Sequence, residues 1–139
     1  MDRRLSFGVR IFITLFCFAV ASVGFIMKLP SQFRQYDKVL HAAFYFGAAA
    51  FLNLLFVGRK LGRHIIVFVF LFLFGAGIEW AQEFSKKKFN IAHGRFDPED
   101  VQFNTYGLIA FSAVWILCVI LYYIFKSNQK EDPSLNVKR

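Results

Sequence analysis

The chain alternates long apolar blocks with short charged ones. Residues 11–27 are uncharged and bounded by Arg10 and Lys28. Residues 39–57 form a second, uncharged block, interrupted by His41. A third starts at Ile65, is uncharged as far as Ile78, and continues through Glu79 to Phe84. The fourth covers residues 101–125. At about 1.5 Å per residue each spans roughly 25–38 Å as a helix, enough for the hydrocarbon core of a bilayer. The pattern predicts an all-α polytopic membrane protein, a four-transmembrane-helix bundle over residues 1–126, with helices near 9–29, 37–58, 64–84 and 98–126. The polar stretch 127–139, which carries Pro133, reads as a disordered tail.

Composition agrees with that reading. The 139 residues are 57% hydrophobic with 20 Phe, outside the range of ordinary soluble domains. The net charge of +8 comes with no aromatic-basic platform or recognition motif, so nucleic acid is not an expected partner. Lys and Arg instead flank the apolar blocks. Ten of the 17 fall at the end shared by Arg3, Arg59 and Lys126, and seven at the end shared by Lys38 and Arg95. The richer side is the expected cytoplasmic one, which puts both termini inside. Arg3, Arg4 and the "AVA" at 19–21 loosely fit a signal peptide, but the apolar run continues to Leu29, which a cleaved segment would not need. Cys17 and Cys118 lie inside apolar blocks and read as small packing residues.

The acids are unevenly placed. Of nine Asp and Glu, six (Asp37, Glu79, Glu83, Asp97, Glu99 and Asp100) belong to the Lys38 side. Charge at membrane depth is costly unless paired or wet, so these residues are functional candidates. Asp37, His41 and Tyr45 are spaced i, i+4, i+8 on one helical face; Glu79 and Gln82 share another; Asp100, Asn104 and Gly107 share a third. Packing those faces inward gives a polar pocket open to one side of the membrane. Competing structural roles are a helix start for Asp97-Pro98-Glu99, a helix–helix hydrogen bond for Asn104 or His41, and an ion pair with Arg95 or a Lys for Glu79. His64 and His93 read as loop residues without partners, Lys86-Lys87-Lys88 as a solvated run, and Trp80, Tyr36, Tyr106, Tyr122 and Tyr123 as interfacial anchors.

Three of these stretches, "DKVLHAAFYF", "EWAQ" and "GRFDPEDVQFNTYG", resemble the VanZ-like family, whose pattern is D-K-x-x-H, then E-x-x-Q, then R-x4-D-x3-N-x2-G. Asp37, Lys38 and His41 match the first element, Glu79 and Gln82 the second, and Arg95, Asp100, Asn104 and Gly107 the third. Phe111 stands where many members carry a second glycine. The resemblance implies a small multi-pass protein of the bacterial cytoplasmic membrane, from a family whose namesake is linked to teicoplanin resistance. It supplies no reaction.

The residues support several chemistries. Asp37, Lys38, His41, Glu79, Gln82, Arg95, Asp100 and Asn104 form the expected binding set, and the leading expectation is an envelope protein that binds a lipid or lipid-linked headgroup. A hydrolase or transferase acting on such lipids is the alternative, with His41 and Glu79 as acid and base. A structural helper subunit of an envelope complex is the third. No metal-binding motif and no cofactor is expected from spacing, although the same carboxylates and His41 could hold a divalent cation. Membrane lipids or lipid-linked envelope intermediates are the expected partners, beside a homo-oligomer or an envelope protein.

Overall fold

The computed structural model describes residues 5–26, 36–89 and 96–131. They form helices α1 (Phe7–Ile26), α2 (Asp37–Leu52), α3 (Leu61–Phe89) and α4 (Pro98–Glu131), and α2 runs on through a π-helical turn (Asn53–Val57). All four spans are long and apolar enough to cross a membrane. This is an all-α, multi-pass bundle, and no strand occurs among the described residues.

Each boundary has a local cause. Asp97 caps α4: its Oδ1 accepts the Glu99 backbone N–H at 2.9 Å, and Pro98 takes the first helical position, where its missing N–H costs nothing. Gly58 closes the π turn. Its N–H donates to the Asn53 carbonyl five residues back at 3.2 Å, and its φ of 61° is a left-handed conformation that glycine adopts without penalty. The Gly58 carbonyl then accepts the Trp115 indole N–H at 3.1 Å, tying this turn to α4.

Two helices are longer than their apolar blocks. α3 reaches Phe89 rather than 84, because 85–89 contains no Gly or Pro, the Lys86–Lys88 cations favour a helix C-terminus, and Lys87 pairs with Glu83 one turn back at 2.6 Å. The lysine run is therefore the exposed last turn of a helix. α4 continues to Glu131 into the stretch expected to be disordered, since the first breaker is Pro133. Residues 132–139 lie outside the described residues, as do 27–35 and 90–95.

The core sits among α2, α3 and α4, built from Tyr45, Ala49, Leu52, Val57, Leu71, Leu108, Phe111 and Trp115. α2 and α4 meet most closely at Gly107, where a Cβ would fall 2.1 Å from the Ala42 carbonyl oxygen. One turn on, the helices have parted enough for Phe111, which is buried and packs edge-on against Phe46 with ring centroids 5.5 Å apart. A residue other than glycine at 111 thus fits, because the close approach is confined to a single turn. α1 packs more lightly, through Phe18 against Phe74 and Phe70 at 4.9 and 5.7 Å, and through Arg10, whose Nη1 donates to the Leu55 carbonyl at 3.0 Å. Elsewhere Leu, Ile, Val and Phe face outward, as a lipid solvent permits.

Candidate functional site

Five polar side chains are buried among the described residues: His41, Asn53, His64, Glu79 and Asn104. They divide into two nodes at opposite ends of the bundle.

The first node joins α2, α3 and α4 at the Asp37 end. Its register follows from Gly75, where a Cβ would lie 2.9 Å from Asn104 Nδ2 and 3.0 Å from the Tyr45 hydroxyl. The missing side chain thus leaves room for both. α3 runs antiparallel to α4, so one turn beyond Gly75 brings Glu79 level with Asp100; one turn back along α2 from Tyr45 is His41. Asp37, Asp97 and Asp100 all lie within electrostatic reach of Glu79.

His41 is buried and held from both sides. Its Nδ1 lies 2.9 Å from Asn104 Oδ1, and its Nε2 lies 3.8 Å from Asp37 Oδ1, one helical turn earlier. Asn104 Oδ1 can only accept, so Nδ1 carries a proton, and Nε2 is the ring nitrogen that faces Asp37. Asp100 completes a group of three potential ligands whose donor atoms all fall within 4.8 Å of one another.

Glu79 differs from its neighbours. It is 1% exposed, and among the described residues neither carboxyl oxygen has a hydrogen-bond partner. The Asp97 backbone N–H is nearby but does not reach hydrogen-bond geometry. A carboxylate buried in this way costs several kcal/mol unless a proton or a cation neutralises it.

Other expected site residues fall at the rim. Lys38 forms an ion pair with Glu99 and lies 5.9 Å over the Phe103 ring, so its charge is already committed within the protein. Glu99 accordingly joins a cross-helix pair as well as the first turn of α4. Gln82 is half-buried on α3, three residues beyond Glu79. Arg95, the expected anion grip, and His93 lie outside the described residues.

The second node overturns the reading of His64 as a loop residue without partners. It lies in the first turn of α3, 6% exposed, because α3 starts at Leu61. Its Nδ1 is 2.7 Å from Asn53 Oδ1, its Nε2 is 3.0 Å from Ser112 Oγ, and its ring stacks on Trp115 at 4.2 Å and 3°. Asn53 Nδ2 donates to the Ala49 carbonyl at 2.7 Å, and Ser112 Oγ also reaches the Leu108 carbonyl at 2.8 Å. Each of these polar atoms has a partner, with the single Ser112 hydroxyl proton shared between His64 Nε2 and the Leu108 carbonyl, which is the pattern of a structural clamp.

Compared with protein-family models, curated proteins and solved structures, the chain matches none. The fold and the site define a four-span membrane protein with a half-buried acidic cluster around the buried Glu79 at one end.

Proposed function

We propose that this protein is an envelope membrane protein whose Asp37-end pocket binds the polar headgroup of a lipid or lipid-linked molecule. Glu79 carries this reading. Where polar residues only glue helices together, as Asn53, His64 and Ser112 do, each buried polar atom has a hydrogen-bond partner; Glu79 is buried with a partner at neither oxygen. Such a group marks a place for a ligand, and it lies near the end of the bundle, where headgroups reside. The resemblance to the VanZ-like family supports a bacterial cytoplasmic membrane and a link to glycopeptide resistance. The Lys/Arg bias supports a pocket that faces outward with both termini in the cytoplasm.

The test is to purify the full chain from bacterial membranes and measure co-purifying lipid by mass spectrometry. Wild type is expected to retain a defined phospholipid or lipid-linked species that Glu79→Gln and His41→Ala lose. Equal retention in all three would overturn the reading.

A hydrolase or transferase acting on the same lipids is favoured by one observation: Asn104 fixes the His41 ring with Nε2 facing Asp37, an Asp–His pair of the kind that moves protons. Turnover of a lipid phosphate ester that vanishes in His41→Ala while lipid retention persists would select that reading.

A further inference from the structure

We propose that Asp37, His41 and Asp100 form a divalent-cation site, with the buried Glu79 carboxyl as an acidic neighbour within electrostatic reach. The donor atoms of the first three lie within 4.8 Å of one another. Ligands about 2.0–2.2 Å from an ion stand roughly 3–4 Å apart, so modest side-chain rotation closes this set onto one centre. The 3.8 Å between Asp37 Oδ1 and His41 Nε2 is too long for a hydrogen bond and already suits two ligands on one ion.

Three further observations point the same way. The His41 ring is oriented as a metal ligand would be, with Nδ1–H donated to Asn104 as the outer support and Nε2 turned toward Asp37. Glu79 brings an independent demand for positive charge: it is 1% exposed, and neither carboxyl oxygen has a hydrogen bond among the described residues. Lys38 pairs with Glu99 at the rim, and among the described residues no cation forms an ion pair with Glu79.

The donor set selects the ion class. One imidazole nitrogen with two or three carboxylate oxygens suits Mn²⁺, Fe²⁺ or Zn²⁺, whereas Ca²⁺ asks for six to eight oxygens. An ion here also explains how an acidic pocket accepts a phosphate, which its carboxylates alone would repel. The inference therefore deepens the headgroup reading and rests on it for the ion's role, but not for the ion's presence.

The experiment titrates chelator-stripped, full-length protein in nanodiscs with Mn²⁺, followed by electron paramagnetic resonance, with Zn²⁺ as competitor. One Mn²⁺ per chain is expected, with nitrogen coupling from His41. Asp37→Asn, Asp100→Asn and Glu79→Gln should each weaken binding by at least about tenfold, His41→Ala should abolish the coupling, and Glu83→Gln should change neither. Absence of stoichiometric Mn²⁺, or unchanged affinity in the Asp37→Asn/Asp100→Asn double variant, overturns the proposal. Should a variant fail to fold, the nitrogen coupling in wild type decides alone. Protein that binds Mn²⁺ but retains no phospholipid keeps the ion and sinks the headgroup reading. Phospholipid retained by metal-free protein with no Mn²⁺ affinity does the reverse.

Discussion

Gly107 on α4 and Ala42 on α2 approach so closely that a Cβ on Gly107 would lie 2.1 Å from the Ala42 carbonyl oxygen. Ala42 follows His41, and Gly107 is one turn from Asn104, so this contact sets the spacing of the His41–Asn104 hydrogen bond.

Gly107→Ala should therefore injure stability and site together. The obstacle is backbone, so the helices must separate at a cost of about 1–3 kcal/mol or more. A fall of several degrees in Tm in detergent, with weakened retention of the ligand in the pocket, is the expected outcome. An unchanged Tm would show that the helices are not in contact there.

Glu79→Gln should act in the opposite sense on stability. It removes a buried group with no hydrogen bond at either oxygen and substitutes a near-isosteric neutral one. Tm should rise while ligand retention falls, as expected where a site holds strain for function. A lower Tm measured in ligand-free protein would mark Glu79 as structural.

The second node should respond as a clamp. Asn53→Leu leaves His64 Nδ1–H buried without its acceptor and is expected to cost about 1–3 kcal/mol. Thermal unfolding checks the stability, and lipid retention at the far end should be unaltered in the folded fraction.

Lys38→Gln should matter little. Its pair with Glu99 is 43% and 60% exposed at the two side chains, and exposed pairs contribute roughly 0–1 kcal/mol. Tm within a degree or two of wild type, at low and high salt, is the expected result. A large loss of ligand retention in this variant would restore Lys38 to the binding set.

Much of the first node was legible in the sequence, because regular helix spacing converts Asp37-His41-Tyr45 and Asp100-Asn104-Gly107 into faces without reference to the rest of the fold. Pairing between faces was not. That Lys38 would meet Glu99, and that Gly75 would make room for Tyr45 and Asn104, depends on inter-helix register, which a membrane sequence encodes only through small residues. The second node was missed for a related reason. Asn53, His64, Ser112 and Trp115 come together only because α2 widens into a π turn and α3 begins at Leu61, and no periodic pattern announces either event. The one available signal was the presence of three polar residues and a tryptophan in otherwise apolar segments. α3 outruns its apolar block because charge ends the block but not the helix, lysines being welcome in a last turn.

Between the two nodes lie Leu71 on α3 and Leu108 on α4, both 0% exposed, and Ala49 on α2 at 3%. They form an apolar septum across the middle of the bundle. Among the described residues no polar side chain bridges it. A headgroup held at the Asp37 end, as proposed, would therefore enter and leave through that leaflet, and its occupancy would follow the composition of that leaflet.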